Sequence, residues 1–164
     1  MKTSYIGLGA NLGNAVQTLR EALQALDTAP GCQLRVCSSF YRSRPLADME
    51  QPDYINAVAE LQTELTPPAL LALLHQIEDA HGRERLQRWG ARTLDLDILL
   101  YDNLHWQTSE LTIPHVGLVE REFVVFPLLE IAPQLVLPDG RSLAELAQGL
   151  EWRGMEKMTS TEHA

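Results

Sequence analysis

The chain has 164 residues, with 13 Lys and Arg against 22 Asp and Glu, a formal charge of −9 and a pI near 4.9. At 45% hydrophobic and 21% charged residues its composition is that of an ordinary globular domain, which excludes intrinsic disorder and removes the need for a disulfide or metal staple. The acidic balance argues against a protein that coats nucleic acid or an anionic membrane, since both need a broad basic face, and leaves a small anionic ligand open. One domain is expected over residues 1–164, with residues from 151 onward as a loosely ordered tail. No signal-peptide stretch or membrane-spanning apolar run is present, so a soluble cytoplasmic protein, a monomer, is expected. Cys32 and Cys37 lack C-x-x-C spacing and are expected as reduced, buried thiols, and the histidines show no zinc-binding spacing.

Residues 4–8 form a short apolar run closed by Gly7, Gly9 and Asn11, a first strand turning into a loop. Asn14 is a plausible N-cap for a helix over residues 14–26, where Val16, Leu19, Ala22, Leu23 and Leu26 recur at three and four, and Pro30-Gly31 ends it. Alternation predicts strands over residues 32–41 and 54–65. The polar segment 42–53 between them is long for a hairpin connection and reads as functional. Pro67 opens a second helix with a leucine-rich face over residues 69–80, and Gly82 stops it. Residues 83–92 are a basic loop, residues 93–101 a strand, and Asp102-Asn103 a turn. Ile113-Pro114 begins a helical region running to 131, and an amphipathic stretch over 143–150 precedes the tail. The order β-α-β-β-α-β is the ferredoxin-like plan, an α+β fold with an antiparallel sheet and helices on one face, here with C-terminal helical additions.

Asp95-Leu96-Asp97 lies on the predicted strand, where period two puts both carboxylates on one face and Leu94, Leu96 and Ile98 on the other. Such a pair suits Mg²⁺, and a solvated outer face is the alternative. Just before it, residues 83–92 hold four arginines and one glutamate, a local charge of +3 that opposes the global one. Arginine forks bind phosphate oxygens bidentately, so this loop beside a metal site fits a triphosphate; a solvated loop with salt bridges is the bland reading. Gly7-x-Gly9-x-x-x-Gly13 is one residue too long for a dinucleotide fingerprint, and no P-loop occurs, so the glycines are assigned to a tight strand-to-helix turn. Tyr54 and Asn56 share a strand face, and Phe123 sits near Arg121. Two aromatics with an amide suit a flat heterocycle, although aromatics also serve as core. Thr112 and His115 flank Ile113-Pro114, where the imidazole could touch phosphate or cap a helix start.

The run Arg88-Trp89-Gly90-Ala91-Arg92-Thr93-Leu94-Asp95-Leu96-Asp97-Ile98-Leu99 resembles the signature of the hydroxymethyl-dihydropterin pyrophosphokinase family. The resemblance extends to Gly9-x-Asn11-Leu12, Ser39-Phe40-Tyr41, Gln51-Pro52-Asp53-Tyr54-x-Asn56, Thr112-x-Pro114-His115 and Pro127-Leu128-x-Glu130-Ile131-Ala132-Pro133. It implies transfer of diphosphate from ATP to the hydroxymethyl oxygen of the dihydropterin with release of AMP, on a ferredoxin-like fold with two Mg²⁺ held by Asp95 and Asp97. It also implies phosphate contacts from Arg83, Arg85 and Arg92, closure by Trp89, and nucleotide-side contacts from Ile98, Thr112 and His115. Tyr54, Phe123 and Asn56 would form the pterin slot, with Ser43, Pro45 and Leu46 giving backbone contacts, and Glu78 and Arg121 as further contacts. Asp95 would also face the pterin, and closure of the two loops would exclude water. Departures from the family pattern fall at His75, Ala47, Glu110 and Val116, around the nucleotide edge and a loop. Another Mg²⁺-dependent phosphoryl or nucleotidyl transferase, or a non-catalytic ligand-sensing module, are the competing readings.

Overall fold

In the computed structural model, which describes residues 1–11, 14–43, 53–81, 94–151 and 155–158, the first strand β1 spans Lys2–Ala10 and buries Ile6, Leu8 and Ala10 on one face. Helix α1, Ala15–Thr28, starts at the expected cap: Asn14 Oδ1 accepts the Gln17 N–H at 3.1 Å. Its apolar stripe buries Leu19, Ala22 and Leu26, and Gly31, at φ +79°, turns the chain into the next strand.

The strand expected over residues 32–41 is two, β2 (Cys32–Cys37) and β3 (Tyr41–Ser43). Both pair with the long strand β4, Tyr54–Thr63, and the break has a local cause. Ser38 accepts the Val58 N–H on its hydroxyl at 2.9 Å, so a side chain takes the place of a ladder carbonyl there. Helix α2, Pro67–Ala80, has proline in its first turn and Thr66 as cap. Strand β5, Asp95–Tyr101, follows, then the turn at Asp102, whose φ is +48°, and a small hairpin of β6 (Trp106–Gln107) and β7 (Thr112–Ile113). The predicted stop at Gly82 lies outside the described residues.

Residues 113–121 are not helical throughout. Pro114 restricts Ile113 to extended backbone, so a 3₁₀ turn (Leu118–Glu120) comes first and α3 begins only at Glu122, running Glu122–Ile131. Helix α4, Leu143–Gln148, is capped by Ser142. Within the segment read as a tail, Met155–Lys157 forms strand β8 against β3 and buries Met155, with Met158 buried beside it. Two apolar side chains in an otherwise polar segment give it a surface to bury.

Six strands among the described residues form one antiparallel sheet, ordered β5-β1-β4-β3-β8 with β2 also on β4. Helices α1 and α2 cover one face, around Leu8, Leu61, Leu70 and Ile98; α3 and α4 cover part of the other, around Val58, Leu99, Val125 and Leu128. The two helices of the expected motif thus share one face, and α3, strongly apolar, takes a surface of its own on the other. Both cysteines are free and half-buried rather than buried. No helix among the described residues is long and apolar enough to cross a membrane.

Candidate active site

The site lies on the α3 side of the sheet, where the helix leaves the strand ends uncovered. Period two brings Asp95 and Asp97 to this face of β5, directly opposite Gly9 and Gly7 of β1. Gly9 in turn pairs with Asn56 of β4, and a Cβ added at Gly9 would stand 2.8 Å from Asn56 Nδ2. Both glycines therefore belong to a central strand as the floor of the site, not to the strand-to-helix turn assigned from sequence. Their missing side chains leave room for the Asn56 amide and for a ligand above the sheet.

Two clefts meet at the aspartates, the first over this floor and the second toward α2. The first, about 540 Å³, has Ser43, Tyr54 and Asn56 along one wall and Arg121 and Phe123 along the other. The second, about 560 Å³, is lined by His75 and Glu78 of α2, Ile98 of β5, and Glu110, Thr112 and Val116. Both volumes suit small molecules. The clefts share Asp95, Asp97, His115 and Arg121, so the two carboxylates stand where a ligand in one would meet a ligand in the other.

Neighbouring groups orient the shared residues. His115 Nδ1 accepts the Gly117 N–H at 3.1 Å, which places the ring proton of neutral imidazole on Nε2, and Nε2 faces Asp97 Oδ1 at 3.8 Å. The histidine thus both caps a turn and presents a donor to the site. The Arg121 guanidinium carbon lies 5.8 Å from the Phe123 ring centroid, a cation–π arrangement. It also rests on Gly117, where an added Cβ would come within 2.5 Å of Arg121 Nε. Gly117 has φ −98° and ψ 6°, open to any residue, so its glycine matters for this close approach and not for its backbone. Glu78 is buried, and its Oε2 accepts the outward Leu96 N–H at 2.8 Å, bracing the sheet edge between the two aspartates.

The donor set fits Mg²⁺. Asp95 and Asp97 offer hard oxygens on one strand face, and no group of three or more metal-ligating side chains occurs among the described residues. Mg²⁺ is commonly held by one or two carboxylates with substrate phosphates and water completing its shell, so an incomplete protein cage is what a phosphate-bearing substrate requires.

Of the residues predicted from sequence, Ser43, Tyr54, Asn56 and Phe123 gather in the first cleft, and Glu78, Ile98 and Thr112 in the second. Asp95, Asp97, His115 and Arg121 lie at their junction. Tyr54 and Phe123 are half-buried, as stacking walls would be. Pro45, Leu46, Arg83, Arg85, Trp89 and Arg92 lie outside the described residues. Gly117 was not singled out in the sequence, and Gly7 and Gly9 were read as turn residues: their alternation in phase with the aspartates acquires meaning only once the β1–β5 register is known.

Comparison with known proteins gives this arrangement its context. A protein from Haemophilus influenzae named 2-amino-4-hydroxy-6-hydroxymethyldihydropteridine pyrophosphokinase is 52% identical over 148 residues, covering 90% of this chain and 92% of its own. A Pseudomonas aeruginosa protein of the same name is 42% identical, covering 94% and 95%. The crystal structure of Plasmodium falciparum HPPK-DHPS wild type with SDX-DHP shares the fold, with a TM-score of 0.69 at 14% identity over 91% of this chain; the chain spans 43% of that longer one. Residues 5–133 match the family model for 7,8-dihydro-6-hydroxymethylpterin-pyrophosphokinase, and the chain belongs to that family.

Proposed function

We propose that the two clefts divide the substrates of the family's reaction, the pyrophosphokinase step of folate biosynthesis, with the pterin in the first and ATP in the second. The observation that carries this reading is the sharing of Asp95 and Asp97 by both clefts, where an acceptor oxygen from one and phosphates from the other would meet. Tyr54 and Phe123 stack on the pterin ring, Asn56 pairs with its edge through both donor and acceptor, and Ser43, Pro45 and Leu46 are assigned backbone contacts by the family resemblance. Ile98 and Thr112 contact the nucleoside side, Glu78 holds the strand that carries the aspartates, and Arg83, Arg85, Arg92 and Trp89 are assigned to the phosphates by the family resemblance alone. Asp95 and Asp97 would hold two Mg²⁺, which would neutralise phosphate charge.

The hydroxymethyl oxygen attacks the β-phosphorus in line. The bond from that phosphorus to the oxygen bridging it to the α-phosphorus breaks, its electron pair leaves with AMP, and the hydroxyl proton goes to solvent. Asn56 and the aromatic walls aim the attacking oxygen, while His115 Nε2–H and Arg121 present donors where negative charge spreads over the transferred group. Positioning and electrostatics supply the catalysis, and no dedicated base is required. The sheet order supports a ferredoxin-like core, with β2 and β3 together as one strand of the plan and α3, α4 and β8 as C-terminal additions. The proposal extends to a monomer acting in the cytoplasm on small-molecule substrates alone.

Incubation with Mg-ATP and 6-hydroxymethyl-7,8-dihydropterin tests it. AMP and the pterin diphosphate in equal amounts are expected, and ADP or free diphosphate as the product would overturn it.

A further inference from the structure

Two motifs picked out in the sequence have no part in the chemistry above: Ser39-Phe40-Tyr41 and the segment around Glu130. The fold brings them together. Glu130 Oε2 accepts the Ser39 N–H at 2.9 Å and the Ser39 hydroxyl at 3.0 Å, and Oε1 accepts the Tyr41 hydroxyl. Lys157 Nζ of β8 lies 3.8 Å from the same Oε1. Burial opposes ionisation of Glu130, but the bonds from Tyr41 and Ser39 and the charge of Lys157 outweigh it and hold the carboxyl below its ordinary range. The converse falls on its neighbours. Burial and then Glu130 raise the Tyr41 phenol, and the same two causes push the Cys37 thiol up to about 12.

The cluster joins the two walls of the first cleft. Glu130 stands near the end of α3, seven residues beyond Phe123, or about 10 Å at the helical rise of about 1.5 Å per residue. Ser39 lies two residues before β3 and Tyr41 opens it, Tyr41 pairing with Asn56 and Ser43 with Tyr54. One carboxylate therefore ties the helix bearing one stacking wall to the strand pair bearing the other. Glu130, Ser39 and Tyr41 are absent from the cleft lining, so the tie acts from behind the walls.

We propose that Glu130 is a positioning residue that sets the width of the slot between Phe123 and Tyr54 through its bonds to Ser39 and Tyr41. This rests on reading that slot as the pterin site. A carboxylate bound by several donors is stiff against changes in their spacing, and a flat ring between two walls is sensitive to that spacing.

The test compares Glu130→Gln and Tyr41→Phe with the native chain. Glu130→Gln keeps the shape and loses the charge, whereas Tyr41→Phe removes one donor and leaves the Ser39 bonds, so at least one variant retains the fold. For Glu130→Gln the pterin KM is expected to rise by about tenfold, with the ATP KM and kcat within about twofold; Tyr41→Phe shifts the pterin KM in the same direction by less. Equal rises in both KM values, a loss confined to kcat, or no change would overturn the proposal. Hydrogen exchange supplies a readout independent of turnover: amides of β3 and the Tyr54–Asn56 end of β4 exchange faster in Glu130→Gln, and those of β5 do not. If the native chain lacks turnover but exchange follows this pattern, the functional reading fails and the clamp stands. If turnover is present and β3 exchange is unchanged, the clamp fails alone.

Discussion

On the face covered by α1 and α2, strands β1, β4 and β5 present Ile6, Leu8, Ala10, Ile55, Ala57, Ala59 and Leu96, each at most 5% exposed. One residue along the same strands, the opposite face presents Gly7, Gly9, Asn56, Asp95 and Asp97 at the end that α3 leaves open. Alternation along a strand thus separates the residues that hold the sheet together from those that face the ligands, although they are covalent neighbours. Substitutions on the first face should alter stability, and substitutions on the second should alter chemistry.

The sharpest contrast comes from opposite sides of the sheet. Asp97→Asn is expected to lower turnover by about 10²–10³-fold, the scale of losing one preorganised electrostatic group. Because Asp97 is exposed, its melting temperature should stay within about 2 °C of the native chain. Leu61→Ala, on a side chain that is 0% exposed, is expected to cost about 2–5 kcal/mol and to leave kcat/KM per folded molecule unchanged. Calorimetry and steady-state kinetics on both variants check the pair. Similar stability losses in the two would break the comparison.

Smaller effects probe the glycine floor. Gly9→Ala pushes a methyl group toward Asn56 Nδ2, so the pterin KM should rise by about tenfold while the ATP KM moves less. Gly117→Ala displaces the far end of a flexible side chain, Arg121, and should cost activity without costing stability. An unchanged pterin KM in Gly9→Ala would show that Asn56 does not need this space.

The smallest effect is a pH dependence at the C-terminal end of α3. The folded pKa of Glu130 lies below its ordinary value of 4.5, so its ionised form stabilises the fold above that value, and the stabilisation is lost as pH falls through the folded pKa. The groups facing it are Ser39, Tyr41, Lys157 and Cys37. The melting temperature of the native chain should exceed that of Glu130→Gln at neutral pH, and the gap should shrink on acidification below 4.5. A gap independent of pH would assign the effect to packing.

What the sequence made legible was what local chemistry determines. Asn14 as a cap, Pro67 in a first turn and the shared face of Asp95 and Asp97 follow from nearest neighbours, and the structure bears them out. The split at Ser38, the burial of Met155 and the helices on both faces depend on partners many residues away. The same holds in the site. Tyr54, Asn56 and Phe123 could be grouped through the family signature, but the role of Gly7 and Gly9 as its floor depends on a register between β1, β4 and β5 that no local pattern encodes. Glu130 was visible within a motif, yet its tie to Ser39 spans 91 positions of chain.

The most direct measurement is a crystal structure of the chain with a non-hydrolysable ATP analogue, Mg²⁺ and the pterin. The account predicts the pterin ring between Tyr54 and Phe123, the nucleoside in the cleft of Ile98 and Thr112, and the β-phosphate over Asp95 and Asp97 within reach of the hydroxymethyl oxygen. Both ligands in one cleft, or phosphates bound away from the two aspartates, would contradict it.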